Sequence, residues 1–423
     1  MKIIATSDWH LGNMFHGNDR LPEHKHFLAW LLSQIEEQQP DALLIAGDVF
    51  DNGNPSAFSQ SLYYGFLADA SEKCPSMQVI IIAGNHDSAN RLEAPRALLT
   101  RHHVEVRGVV NRTWVQDGEK GDWVTKYDDL MIPVKGSEGD EVIVLAVPYL
   151  RNDIIHNNSY SKGVMTFLKE LTSKAREQYP DKPLVMMAHM YAQGADIAKK
   201  DASEKIIIGG VEEVSMEGWT DHPDYMTCGH IHKRQHIWNT GWARYSGSVL
   251  PMSFAEVDYH HGVDLITIQA DGKHQMKFLE YEPQHKMMIL PKDDEELTPK
   301  KLMKLIDEEL DDRIDGKLDD NFVYVMLKVK LEKVNNDDLV ALEEKINEKN
   351  AVLSRIQRII PELDLTTISG DDQIQSVDDI INRDPLETLK EAYAIKYSNE
   401  MSEHQEQMLK DLLNSITLES DNA

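Results

Sequence analysis

The sequence predicts an α/β protein in which two β-sheets form a sandwich flanked by helices, followed by a smaller α+β unit and C-terminal helices. Three observations carry this. Five short apolar, β-rich runs each end in a polar cluster, the segments between several of them have helical periodicity, and after Tyr281 the pattern changes to a shorter, acidic alternation of helix and strand.

The five runs are 2–6 before Asp8, 42–46 before Asp48, 79–83 before Asn85, 184–188 before His189, and 225–228 before His230. Continuous apolar stretches of this length read as strands buried on both faces. Residues 23–38 carry Phe27, Leu28, Leu31 and Ile35 at helical spacing, and 59–72 reads similarly. Strands alternating with helices imply ligands gathered at strand carboxyl ends. Further runs at 142–148, 243–248 and 262–268 are expected to complete a second sheet. Past Tyr281, a helix is predicted over 298–310, a strand of alternating character over 322–331 and a helix over 337–350. The domain boundaries expected from these changes are 1–285, 286–370, a polar acidic linker over 371–384, and amphipathic helices within 385–423.

Composition narrows the class. With 423 residues the chain has room for two or three domains, and no apolar run approaches the about 18 residues of a membrane span. The N-terminus Met1-Lys2-Ile3-Ile4-Ala5 runs into a polar motif without a signal-peptide layout, so a soluble, cytoplasmic protein with no membrane partner is expected. Two cysteines, Cys74 and Cys228, are too few and too separated for a disulfide framework and read as buried thiols. The net charge of −28 is shared as −13 over residues 1–285 and −15 over the shorter remainder. Such acidity works against tight binding of a polyanion unless cations or a partner supply the positive field.

The chemistry lies in five short signatures: Asp8-Trp9-His10, Gly47-Asp48-Val49-Phe50-Asp51, Gly84-Asn85-His86-Asp87, His189, and Gly229-His230-Ile231-His232. Each follows a predicted strand. Together they offer imidazoles, carboxylates and an amide oxygen, a ligand list for two divalent ions sharing a bridge. The mixed nitrogen and oxygen set suits Mn²⁺ better than Mg²⁺, with zinc and iron as open alternatives.

These motifs are the signature of calcineurin-like metallophosphoesterases. More narrowly, Thr6-Ser7-Asp8-Trp9-His10-Leu11-Gly12, Ala46 to Asp51, Ala83 to Ser88, and Gly209-Gly210-Val211-Glu212 before Cys228 to His232 resemble the SbcD-like nucleases, which act within SbcC–SbcD complexes. The resemblance covers about residues 1–285. It implies Asp48 as bridging carboxylate, one ion on Asp8, His10, Asp48 and His232, and the other on Asp48, Asn85, His189 and His230. It makes His86 the catalytic acid that protonates the leaving sugar oxygen, with Asp87 placed to orient or charge that ring. It also implies an SbcC-like ATPase partner, a homodimer within a heterotetramer, DNA as substrate, 3′→5′ exonuclease and hairpin or single-strand endonuclease action, and a place in DNA repair and recombination.

Other residues stay open. Asp51 reads either as a hydrogen-bond acceptor behind the ligands or as a helix N-cap. His16, in the loop after the first signature, is the best further substrate-facing histidine. Lys233-Arg234 suits phosphate contact or a solvated charge pair. The unit at 286–370 stands where the resemblance places a DNA-capping domain, or serves stability alone, and the helices of 385–423 dock on the ATPase or pack on their own chain.

Phosphatases of the superfamily grip monoesters with arginines in the second and third motifs. Asn52 and Ala83 occupy those places here, which favours a diester. The rival readings are a small-molecule phosphodiesterase and a non-catalytic scaffold for DNA ends. An ATP-binding Gly-x-x-x-x-Gly-Lys-Ser/Thr loop is missing from the sequence.

Overall fold

The computed structural model describes residues 1–359 except 118–119, 153, 155–158, 197–212, 238–239, 294–296 and 331–332, together with Lys390 and Glu406. The run 209–212, the linker 371–384 and the C-terminal helices of 385–423 therefore lie essentially outside the described residues.

Two six-stranded sheets face each other. The first runs in the order His274–Tyr281, His261–Ile268, Lys2–Thr6, Ala42–Ala46, Gln78–Ile82, Val104–Arg107. The second runs Gln235–His236, Ala243–Tyr245, Tyr225–Gly229, Leu184–His189, Glu141–Ala146, Met131–Lys135. The central strands of both are parallel. Their side chains alternate between two cores. Ile3, Leu44, Ile80 and Ile82 meet Val142, Val144, Val185 and Met187 between the sheets. Ile4, Leu43, Ile45 and Ile81 face outward under Phe27, Leu31, Tyr63 and Phe66 of helices Leu21–Gln38 and Ala57–Lys73. Helix Tyr160–Gln178 covers the second sheet in the same way through Phe167, Leu168 and Leu171. Burial on both faces is why these strands read as unbroken apolar runs.

One sequence assignment is corrected. The run at 262–268 joins the first sheet, not the second: His261–Ile268 lies antiparallel to Lys2–Thr6, with Ile3 opposite Ile266. Its apolar character suits either sheet. Pairing is decided by the hairpin it makes with His274–Tyr281, which extends the edge beside the N-terminal strand.

Beyond Tyr281 a three-stranded parallel sheet, Met287–Leu290, Val323–Lys330 and Ala351–Ile359 with Val323–Lys330 in the middle, packs under helices Pro299–Glu309 and Asn336–Asn347. Asn335 and Asp338 form a reciprocal capping box at the start of the second helix. The middle strand is buried on both faces rather than alternating with solvent. Val325, Leu327 and Val329 meet Leu302, Ile306, Leu342 and Ile346, while Tyr324 and Met326 meet Phe15 and Phe254. Among the described residues no helix is long and apolar enough to cross a membrane, and both cysteines are buried and unbonded.

Candidate metal centre

All five signatures leave the carboxyl ends of parallel strands and converge. Asp8 and His10 follow Lys2–Thr6, Asp48 follows Ala42–Ala46, Asn85 follows Gln78–Ile82, His189 ends Leu184–His189, and His230 and His232 follow Tyr225–Gly229. The first two loops are tied by backbone bonds, Asp8 N–H to Gly47 O at 3.1 Å and His10 N–H to Asp48 O at 3.0 Å. Asp8, His10, Asp48 and His230 all have positive φ, at 52, 45, 48 and 101°. Non-glycine residues seldom adopt that conformation, at a cost of order 1–3 kcal/mol each, and such strain gathers where side chains must be aimed. Glycines supply the close approach. A Cβ on Gly84 would stand 2.1 Å from Asp48 Oδ1, and one on Gly47, whose φ is +90°, would stand 2.3 Å from His189 Nδ1.

Asp48 lies between the two halves of the cluster. Its Oδ2 is 3.3 Å from His189 Nε2 and 3.7 Å from His10 Nε2, and its Oδ1 accepts the His86 N–H at 2.9 Å. Asn85 Oδ1 is 2.9 Å from His189 Nε2 and 2.9 Å from His230 Nδ1. Ligand atoms of Asp8, His10 and His232, of His10, Asp48 and His86, and of Asp8, Asp48 and His189 each fall within 4.8 Å of one another. Asp8 Oδ2 and His10 Nε2 are buried without a hydrogen-bond partner. An orphaned buried polar atom costs about 1–3 kcal/mol. Lone pairs aimed at a shared space from imidazoles and carboxylates fit divalent cations, so the residues present suit the metal chemistry.

The charges fit too. Burial alone would raise the Asp48 carboxyl, but the neighbouring His189, with His10 and His86 behind it, holds it well below the usual carboxylate range. Burial likewise works against a charged His189, yet Asp48 outweighs it and lifts the ring to about 9. His230, desolvated and facing His189, falls to about 3. Near neutral pH, without a bound cation, His189 therefore carries both ring protons, and its Nδ1–H is committed to Ala46 O at 2.9 Å. An incoming cation must displace the Nε2 proton. Titration calorimetry of Mn²⁺ binding at pH 7.5 in two buffers of different ionisation heat should show about one proton released, and affinity should strengthen with pH up to about 9. Equal heats in both buffers would contradict it.

The remaining candidates divide. His86 sits in the cluster, its ring 4.8 Å from that of His10, with Nδ1–H donating to Asp51 O at 2.9 Å. Asp87 does not orient that ring. Its buried carboxylate turns inward and accepts from Gly84 N at 2.9 Å, Phe50 N at 3.0 Å and Val49 N at 3.2 Å, clamping two ligand loops together. Burial, then the charge of Asp48, raises it to about 6. Asp51 accepts from Asn13 at 2.9 Å, and the helix cap is Ser56 instead. Exposed His16 tops the hairpin of Met14–Phe15 and Asn18–Asp19, its ring against Phe15 and Phe254. Lys233 pairs with Asp196. Arg234 is committed elsewhere in the fold: it pairs at 2.8 Å with the buried Asp264, which Arg244 also holds, and lies over the Phe278 ring.

One functional residue escaped the sequence reading. Buried Glu256 accepts from His232 Nδ1–H at 2.9 Å, which makes Nε2 the nitrogen that would bind a cation. A carboxylate behind a metal-facing histidine fixes tautomer and ring direction. No motif marks it, because 24 residues separate the pair.

Fold and site together define a phosphoesterase built around an Asp/His/Asn cation cluster at the strand ends. The model of the family described as calcineurin-like phosphoesterase matches residues 1–234, more than half of the chain, and the protein belongs to that family. Within it, the chain is similar to proteins named as the D component of the nuclease SbcCD. It is 35% identical to that of Rhodobacter capsulatus over 279 residues, covering 63% of this chain and 66% of the relative. It is 31% identical to that of Escherichia coli K12 over 286 residues, covering 64% and 66%. It is 29% identical to that of Bacillus subtilis over 279 residues, covering 63% and 66%. The matched region thus spans just under two thirds of each relative.

Proposed function

We propose that this protein is a metal-dependent DNA nuclease that hydrolyses phosphodiester bonds, as a 3′→5′ exonuclease on duplex ends and an endonuclease on hairpins or single strands. The observation that carries the reading is Asp48, a buried carboxylate set between two histidine-bearing halves of one cluster, in a chain similar to proteins named as nuclease components. Asp8, His10, Asp48 and His232 would hold one divalent ion, and Asp48, Asn85, His189 and His230 the other, with Mn²⁺ favoured by the donor set. When bound, such a pair neutralises the phosphate and makes a water acidic enough to attack it.

The chain's own residues do the rest. His86, held through Nδ1 by the Asp51 carbonyl, presents Nε2 to give a proton to the leaving sugar oxygen. Asp87 keeps the 48–50 and 84–87 loops in register, and Glu256 holds His232 in the tautomer that binds metal. Asn52 and Ala83, where a phosphatase carries its arginine clamp, leave a dianionic monoester without a special grip.

The relatives' names support an SbcC-like partner, and the charge gives that partner a task. With −13 over residues 1–285 and Arg234 committed to Asp264, the domain needs other positive charge to hold DNA. An SbcC-like ATPase supplies it in a heterotetramer with a second copy of this chain, the unit at 286–370 capping the DNA and the helices of 385–423 docking on the ATPase.

The test is Mn²⁺-dependent cleavage of a labelled hairpin duplex by the purified chain, beside chromogenic mono- and diesters. Cleavage of DNA and diester with the monoester spared is the expected result. A chain that cuts only the monoester refutes the assignment.

A further inference from the structure

A continuous line of buried and half-buried hydrogen bonds leads from the three-stranded sheet to a candidate metal ligand. Tyr324, on the middle strand Val323–Lys330, donates its hydroxyl to Glu23 at 3.1 Å. Both oxygens of Glu23 are also gripped by Arg20, at 2.8 Å each. The other arm of Arg20 donates to the Pro251 carbonyl at 2.6 Å. That carbonyl belongs to the peptide whose N–H, on Met252, donates to Glu256 at 2.8 Å, and the second oxygen of Glu256 accepts the Nδ1–H of His232 at 2.9 Å. Tyr324, Arg20, Glu23 and Glu256 are all buried.

An apolar line runs beside the polar one. The ring of Tyr324 meets Phe15 at 5.0 Å, Phe15 meets Phe254 at 5.3 Å, and Phe254 opens the short turn Phe254–Glu256 that ends in the carboxylate behind His232. Phe15 itself stands five residues past His10. The three-stranded unit has its own core around Leu302, Ile306 and Leu327. It packs here through a cluster of Phe15, Phe254, Met287, Tyr324 and Met326 and through the Tyr324–Glu23 bond, in the setting of the loops that carry His10 and His232.

We infer that Tyr324 is a positioning residue: the seat of the three-stranded unit on the first domain and the occupancy of the ion held by Asp8, His10 and His232 are energetically coupled through Glu23, Arg20 and Glu256. The inference rests on the metal reading above. A shift of that unit changes what holds Arg20, hence the Pro251–Met252 peptide, hence the direction of the His232 lone pair. Coupling is reciprocal, so filling that site also fastens the unit.

The experiment measures Mn²⁺ binding to the full chain and hydrogen exchange across 323–330, with and without Mn²⁺, for the unaltered protein, Tyr324→Phe, Glu23→Gln and, as a reference for a broken link, Glu256→Gln. Tyr324→Phe removes one oxygen and keeps the ring in its cluster, and Glu23→Gln keeps the shape. Each should weaken one of two ions by at least about fivefold and spare the other, against about 10- to 100-fold for Glu256→Gln. Tyr324→Phe combined with Glu23→Gln should lose little more than either alone. Mn²⁺ should slow exchange across 323–330 in the unaltered chain and not in Tyr324→Phe. A lowered melting temperature with both ion affinities unchanged overturns the coupling and leaves Tyr324 a packing residue. An unaltered chain that takes up no Mn²⁺ overturns the metal reading itself, and this inference with it.

Discussion

Asp48→Asn should abolish cooperative uptake of divalent ions and lower DNA cleavage by about 10³-fold or more. Asparagine keeps the volume of the side chain and an oxygen to accept the His86 N–H, now at 2.9 Å, so the loop has no reason to collapse. What disappears is the negative charge between His10 and His189. That charge is what lifts His189 to about 9 against its burial and what two neighbouring cations would share. The check is the melting temperature with and without Mn²⁺. Ligand at 100 times its dissociation constant stabilises by about 2.7 kcal/mol, so the unaltered chain should melt higher in Mn²⁺ while Asp48→Asn should be indifferent to it. A variant that still gains stability from Mn²⁺ would remove Asp48 from the bridge.

Much of this arrangement is legible in the sequence. Strands such as Ala42–Ala46 are buried at every position, and a run that tolerates no polar residue announces itself. The ligand loops are legible for a related reason. Each needs a particular donor at a strand end or within four residues past it, often beside a glycine such as Gly84 that admits no Cβ.

What could not be read depends on pairing across long stretches of chain. Nothing within 262–268 says which sheet it joins, since Ile266 would be buried in either. Arg234 sits next to the His230–His232 motif and reads as available to phosphate, but its direction is set by Asp264, thirty residues on. Glu256 and Tyr324 carry no local mark, because their roles come from what the fold brings to them. Asp87 misled differently. Adjacency to His86 suggested a partner for that ring, while the backbone turns successive side chains apart and the carboxylate finds three amide groups instead.

His86→Gln offers the sharpest separation of chemistry from binding. The ring lies in the cluster, 4.8 Å from that of His10, so it could serve either as a ligand or as an acid. Its Nδ1–H is spent on the Asp51 carbonyl, which leaves one nitrogen for either task. If that nitrogen delivers a proton to the leaving oxygen, its loss should slow DNA cleavage by about 10²- to 10⁴-fold with Mn²⁺ affinity nearly unchanged. The same variant should lose far less against a diester whose leaving group is a nitrophenolate, because an anion that departs unaided has little use for an acid. Comparing single-turnover rates on the two substrates therefore isolates the proton from the metal. A ligand role predicts the opposite pattern, with both substrates slowed alike and with weakened Mn²⁺ binding, since the lost ion would be missed whatever group departs.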